Sequence, residues 1–275
     1  MEDFEAFARL VTALRPWLGQ LVVVGGWAHR LHRFHPLAKS PGHLPLRTRD
    51  ADLAFSRHAV LDGDVRAALG EAGFREERLG EHRPPVTHYH LGEEDEGIYA
   101  EFLTSLHGDG LKRDGTPDAT VSKAGITAQK LRYLDLLLVS AWGVRVGPGL
   151  GVPVSNDLEL LVPNPVSFIV QKLLIHSDRS GFKKAQDVLY IHDTLELFGT
   201  AMDEMRVLWA DEVRPKLPTR TARRAARTAT ELFHEVTDTI REAARMPQDR
   251  QPSAERIRVA CEYGLGQIMG RREPV

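Results

Sequence analysis

The sequence predicts an α+β protein, with a mixed sheet flanked by helices followed by a C-terminal helical domain. Two observations carry this. Short β-branched or alternating runs are interspersed with helical spacing up to residue 160, and past Pro163-Asn164-Pro165 the strand-like runs stop and only helical spacing remains. The 275 residues suffice for one large domain or two modest ones, and the change of texture sets them at 1–160 and 161–275.

Residues 2–18 space Phe4, Phe7, Ala8, Val11, Leu14 and Leu18 as one face of a helix. Leu21 to Val24 is a short apolar run closed by Gly25-Gly26, the pattern of a buried strand ending in a tight turn. Trp27 to Phe34 then reads as a short helix. Residues 36–46 hold three prolines, Gly42 and His43, which is loop chemistry. Asp50 to Phe55 alternates acids with Ala51, Leu53 and Phe55, as a strand with one apolar face does. Leu61 to Phe74 reads as helix. Thr87–Leu91 and Ile98–Thr104 read as paired strands around the acidic turn Glu93-Glu94-Asp95-Glu96-Gly97. Leu134–Ser140, Gly143–Val146 and Leu158–Val162 extend the strand-rich part, with Gly147-Pro148-Gly149-Leu150-Gly151 as a hairpin loop.

Beyond this point Asn164 suits a helix N-cap and Pro165 a first helical residue. Helices are expected at about 165–177, 182–198, 201–213, 219–245 and 253–269, between Gly- and Pro-marked breaks. Neither an internal repeat nor a low-complexity tract is present.

Composition excludes some classes. A hydrophobic share of 42% with 27% charged residues is that of a folded chain rather than a disordered one. The net charge of -2 gives no global pull toward nucleic acid or anionic lipid, so any such contact needs a local patch. The single cysteine, Cys261, cannot form an internal disulfide, and its helical setting reads as a small buried residue. The acidic start Met1-Glu2-Asp3 lacks the pattern of a leader, and no apolar stretch approaches the ~20 residues of a bilayer span. A cytoplasmic protein with no membrane partner is expected.

The chemistry centres on Asp50 and Asp52. Two carboxylates one residue apart on a strand share a face and repel. A divalent metal resolves that conflict, because Mg²⁺ takes hard oxygen ligands from one or two carboxylates together with substrate phosphates. Gly25 and Gly26 precede them. Glycines let a backbone approach a phosphate, and the following helix start offers free N–H groups. Glu101 is a charge within an otherwise apolar strand, costly unless paired or metal-bound, and is the best third carboxylate.

Gly25-Gly26-Trp27, Thr48-x-Asp50-x-Asp52 and Glu101 together resemble the nucleotidyltransferase fold of the polymerase-β superfamily. Within it, the chain is most similar to bacterial abortive-infection-type and mycobacterial nucleotidyltransferase toxins. The resemblance implies Mg²⁺ (or Mn²⁺) held by Asp50, Asp52 and Glu101, and an NTP cradled by Gly25, Gly26 and Thr48. It implies that a helical lysine and a later helical aspartate complete the site, positions matched by Lys172 and Asp187. Arg179 and Lys183, on either side of Gly181, could reach the triphosphate. It also implies an RNA acceptor such as the tRNA 3′ end, and an antitoxin protein as partner. The chain departs from the pattern in three ways. Gly26 stands where a serine is common, the gap from Gly26 to Asp50 is long, and the third acid is Glu rather than Asp.

Plainer readings stand beside these. Asp50 and Asp52 alone suit a solvated strand edge, Glu101 an arginine ion pair, Lys172 a surface-reaching lysine and Asp187 a local pair with Lys183. Arg220, Arg223, Arg224 and Arg227 fall on one helix face, which could track an RNA backbone or be a solvated face. His29, His32, His35 and His43 do not match a cysteine-containing zinc pattern. His88 and His90 alternate on a strand, exposed or hydrogen-bonded. Two further functional readings remain: transfer to a small molecule such as an antibiotic, and a nucleotide-binding protein that has lost catalysis.

Overall fold

The computed structural model describes residues 3–39, 42–92 and 97–270. The chain divides into two compact units, Met1–Phe34 with Arg47–Pro163, and His35–Leu46 with Asn164–Val275. The acidic turn expected at 93–97 lies, in its residues 93–96, outside the described residues.

The first unit runs α1 (Asp3–Ala13), β1 (Val22–Val24), α2 (Gly25–Leu31), β2 (Asp50–Ala54), α3 (Val65–Glu71), β3 (Arg75–Leu79), β4 (Val86–Leu91), β5 (Ile98–Ser105), β6 (Thr120–Lys123), β7 (Ile126–Leu131), α4 (Leu134–Leu138), β8 (Trp142–Val146) and β9 (Leu158–Val162). The strands form one mixed sheet in the order β3-β4-β5-β2-β1-β9-β8, with β7 also pairing β5 and β6 pairing β7. β1 runs antiparallel to β2, whereas β2 and β5 run parallel.

Alternation sorts the two faces of the central strands. Ala51, Leu53, Ala100 and Phe102 are fully buried on one face. On the other, Val22, Val24, Ala54 and Leu103 pack with Leu134 and Leu137 of α4. The same face of β2 and β5 carries Asp50, Asp52, Tyr99 and Glu101, only partly covered. Trp27 of α2 stacks on Phe7 of α1, with ring centroids 3.9 Å apart, which fixes the helix that follows the glycine turn.

The second unit is helical: α5 (Pro165–Ile175), α6 (Gly181–Leu197), α7 (Met202–Val207) running into a wider π-type stretch (Leu208–Val213), α8 (Thr219–Phe233), α9 (Asp238–Arg245) and α10 (Ala254–Met269). Asn164 caps α5 as its sequence suggests, its side chain accepting from the Ser167 N–H at 2.9 Å. Cys261 is buried. No helix among the described residues is long and apolar enough to cross a membrane.

Several expectations need correction. Leu134–Ser140 is not a strand: Leu134–Leu138 is helix α4. A short apolar run does not distinguish the two by periodicity, and leucine favours helix. The expected helix 219–245 is two, because the chain turns after Phe233 and Thr237 caps α9 by accepting from the Ile240 N–H at 3.3 Å. The helix expected from Leu61 to Phe74 is shorter, held at its start by Asp64 accepting from the Ala67 N–H. Helix α2 begins at Gly25 rather than after the glycine pair. Strands β3, β6 and β7 were not anticipated. β3 is Arg75-Glu76-Glu77-Arg78-Leu79, an outer strand whose polar composition hides it.

Candidate active site

The sheet register gathers the acids. Asp52 on β2 is the Cα partner of Glu101 on β5, and Asp50 the partner of Tyr99. Paired residues of neighbouring strands project to the same side, so Asp50, Asp52, Tyr99 and Glu101 share one face. On the other flank of β2, Asp52 pairs with Val24, the residue before Gly25. Gly25 has φ +63°, and a Cβ built on it would overlap Asp52 Oδ2 and come within 3.1 Å of its Cγ. The position therefore requires glycine twice, for its backbone angle and for the carboxylate beside it. The glycine turn and the second aspartate are in direct juxtaposition.

Each acid is also oriented by a neighbour. Thr48 donates its hydroxyl to Asp50 Oδ1. His88 Nε2 lies 2.9 Å from Glu101 Oε2, so the partner of Glu101 is a histidine rather than an arginine. The Tyr99 ring stacks on His88, with centroids 5.0 Å apart and planes at 12°. Burial raises the Tyr99 hydroxyl pKa far above its ordinary value, and the charges of Asp50, Glu101 and Asp52 add to it. That phenol reports a local concentration of negative potential from three carboxylates on two strands. Sequence reasoning left both His88 and Tyr99 out of the site. The alternation that places Glu101 also places Tyr99, and was the available signal.

In the second unit, Lys172 and Asp187 meet. Lys172 Nζ donates to Asp187 Oδ1 at 2.6 Å, and both side chains are buried. Arg179 Nε donates to Asp187 Oδ2 at 3.1 Å. The ammonium lies 4.8 Å from the Phe168 ring centroid and 4.6 Å from that of Tyr190. Burial pushes the Asp187 carboxyl upward, but Lys172 and Arg179 outweigh it and hold the pKa below the ordinary value. Lys172 is thus not a surface lysine. Asp187 pairs with Lys172 and Arg179, while Lys183 is exposed.

The same unit holds a cluster that sequence reasoning missed. Ligand atoms of His43, Asp193 and Glu196 all lie within 4.8 Å of one another, the one such trio among the described residues. Asp50, Asp52 and Glu101 are not drawn together to that degree. Nothing in the sequence joins His43, in the proline-rich segment, to α6, although His192-Asp193 followed by Glu196 puts three potential ligands on one stretch of helix.

The model of a family described as Nucleotidyltransferase matches residues 2–213. The chain belongs to this nucleotidyltransferase family. No curated protein matches it. Among solved structures it aligns with MenT4, a nucleotidyltransferase toxin of Mycobacterium tuberculosis H37Rv, at 14% identity and a TM-score of 0.35, over 97% of this chain and 92% of that one.

In this member of the nucleotidyltransferase family the arginine stripe of α8 is only partly open. Arg224 donates to the Leu174 carbonyl at 3.2 Å, near the end of α5, and Arg227 lies 3.6 Å from Glu231. Arg220 and Arg223 are exposed. The Cys261 thiol is pushed well up by burial, with Asp193 and Glu196 adding to the shift, so it stays protonated and unreactive.

Proposed function

We propose that the protein is a metal-dependent nucleotidyltransferase that moves a nucleoside monophosphate from an NTP to an acceptor hydroxyl and releases pyrophosphate. The observation that carries this reading is the register that sets Asp52 beside both Glu101 and the Cβ-less Gly25. Family membership supports the same class of reaction.

The donors fit Mg²⁺ or Mn²⁺. They are hard carboxylate oxygens on one sheet face, and Tyr99 senses their summed charge. Asp50 and Asp52 would hold the metal pair, with Glu101 on the second ion. The ions would supply charge neutralisation at the attacking and leaving oxygens of an in-line displacement. The remaining roles belong to the chain. Thr48, expected to touch the nucleotide, orients Asp50 by occupying Oδ1 and leaves Oδ2 for binding. His88 holds Glu101 by Oε2 and leaves Oε1. Glu101 also helps take the proton of the acceptor hydroxyl, as base or ligand. Gly25 and Gly26 admit the β- and γ-phosphates against backbone N–H groups at the start of α2. Lys172, Arg179 and Lys183 are the cations that offset triphosphate charge, and Asp187 orients Lys172. For the acceptor, the resemblance to nucleotidyltransferase toxins favours RNA, with the tRNA 3′ end foremost, a toxin role and an antitoxin partner. Arg220, Arg223, Arg224 and Arg227 are the proposed RNA contacts.

The test is incubation of the protein with each labelled NTP, Mg²⁺ and total RNA. Label should move to RNA. Label on a small metabolite instead would select the antibiotic-type reading, and NTP binding with no labelled product would select the inactive one. Growth arrest on expression, relieved by a neighbouring gene product, would support the toxin assignment.

A further inference from the structure

We infer that the rings of Tyr99, His88 and His90 are the surface on which the acceptor's terminal nucleobase stacks, so that the acceptor is a single-stranded RNA end. The inference rests on the nucleotidyl-transfer reading above and adds to it the place and chemical class of the acceptor. All three residues lie in the first unit.

The order of the strands sets the direction of approach. β4, β5, β2 and β1 are consecutive neighbours. Gly25 follows β1, Asp50 and Asp52 lie on β2, Glu101 on β5 and the two histidines on β4. An in-line displacement brings the nucleophile in opposite the leaving oxygen. With the triphosphate at Gly25, pyrophosphate leaves on the β1 side, and the acceptor enters over β5 and β4. Strand pairing sets His88 opposite Glu101 and His90 opposite Tyr99. Alternation sends Thr87, Tyr89 and Leu91 to the buried face and leaves the histidines on the open one. β4 is one strand spacing, about 4.8 Å, beyond the strand of Glu101. An acceptor hydroxyl at Glu101 therefore carries its base onto these rings.

The rings form a patch rather than a column. Their centroids are 5.0 Å apart for Tyr99 and His88, 5.5 Å for Tyr99 and His90 and 6.1 Å for His88 and His90. A column would set its outer members much farther apart than its neighbours, so no ring is sandwiched between the other two. The three planes stay within 43° of one another. Carboxylates hold the imidazoles at their edges: His88 Nε2 lies 2.9 Å from Glu101 Oε2, and His90 Nε2 lies 2.8 Å from Glu77 Oε2. The surface is thus preorganised, which lowers the cost of binding. Aromatic and histidine side chains on an open sheet take unstacked bases in this way, whereas a base inside a duplex is already stacked and paired. Neither β4 nor β5 contains a lysine or arginine, and the neighbouring acids repel a bare phosphate. An uncharged base fits where the RNA backbone does not.

The experiment uses the full chain with Mg²⁺ and a non-hydrolysable NTP. A fluorescent single-stranded RNA with a free 3′ hydroxyl is titrated by anisotropy, beside the same RNA with an abasic 3′-terminal residue. His90→Leu and Tyr99→Leu should each weaken binding of the intact RNA by about 5- to 150-fold, the range for stacking on one aromatic ring. His90→Phe and Tyr99→Phe should retain it. None of these variants should change the affinity for the abasic RNA, the affinity for the NTP or the salt slope of RNA binding, because no phosphate contact is lost. Wild-type affinity in both leucine variants overturns the inference. So does an equal loss with intact and abasic RNA, which would mark the rings as structural, or a wild type that does not distinguish the two RNAs. Label moved to RNA with an unchanged acceptor KM in the leucine variants removes the rings and leaves the transfer reading standing. Base-dependent RNA binding without any transfer of label does the reverse.

Discussion

Gly25→Ala tests the geometry on which the functional reading stands. Two costs are separable. An alanine at φ +63° occupies the left-handed region, which is worth about 1–2 kcal/mol for a residue with a Cβ. The new methyl also overlaps Asp52 Oδ2 and crowds its Cγ, so the carboxylate must rotate off the face. The first cost is the same whatever residue stands at 52, and the second needs the carboxylate. Urea unfolding of wild type, Gly25→Ala, Asp52→Ala and the double variant closes a thermodynamic cycle. The penalty of Gly25→Ala should fall to the backbone share, about 1–2 kcal/mol, in the Asp52→Ala background. In the Asp52 background it should be larger, by at least the ~0.5 kcal/mol that marks coupling between touching residues. Transfer activity should be lost in Gly25→Ala, because Asp52 no longer keeps register with Glu101. Equal penalties in both backgrounds would show that Asp52 does not lie against the glycine, and full activity in Gly25→Ala would remove the turn from the mechanism.

Three further outcomes are expected. Asp50→Asn should abolish transfer of labelled nucleotide while leaving the unfolding midpoint unchanged or raised, since it relieves repulsion among like charges; retained activity would refute the metal assignment. Lys172→Met strands Asp187 with Arg179 alone, and breaking a buried pair costs about 3–5 kcal/mol. The Asp187 carboxyl titrates below its ordinary 3.8 in the folded state, so its contribution is fully present above that value and is lost as pH falls through the folded pKa. The stability gap between wild type and Lys172→Met should therefore be flat from pH 8 to about 5 and narrow below about 4; a gap that widens in acid would contradict the pairing. Arg220→Gln with Arg223→Gln should weaken RNA affinity and make its log–log salt slope shallower, by about one for each phosphate no longer neutralised. Arg224→Gln should instead lower stability, by about 1 kcal/mol for its bond to the Leu174 carbonyl. An unchanged salt slope in the double variant would leave the stripe as ordinary surface.

What the sequence made legible follows from the range of the signals. The alternation in Asp50–Phe55 and Ile98–Thr104 is local and strong, and it was enough to find β2, β5 and the side on which the acids project. Asn164-Pro165 is likewise a local device, and the cap forms as read. Leu134–Leu138 was misread because five apolar-rich residues satisfy either period, and packing on Val22, Val24, Ala54 and Leu103 decides for helix. β3 was invisible because Arg75-Glu76-Glu77-Arg78 pairs through its backbone while its charged side chains meet solvent or pair with Arg66, His90 and each other. The partners of the acids were hidden for a different reason. His88 reaches Glu101 only through strand pairing, and His43 reaches Asp193 and Glu196 only through tertiary packing.

Carboxylates concentrated on one open patch of sheet work against folding. Asp50, Asp52 and Glu101 repel one another, and they act together on Tyr99, whose hydroxyl they help to keep protonated far past the usual phenol range. The fold does not disperse them. Thr48 and His88 each hold one acid in place, and Gly25 gives up both a Cβ and an ordinary backbone angle so that Asp52 can lie against the turn. A set of groups meant only to be solvated has no need of such orientation, and a single surface charge would be cheaper to move outward. Oriented acids, half sheltered and adjoining a helix start, make sense when a ligand brings further positive charge to them. An NTP carrying its divalent ions brings that charge, and its phosphates can use the backbone N–H groups beside Gly25. The same logic predicts that Mg²⁺ with a non-hydrolysable NTP raises the thermal midpoint more than the sum of either alone. Additive or absent shifts would mean that the acids serve no shared ligand.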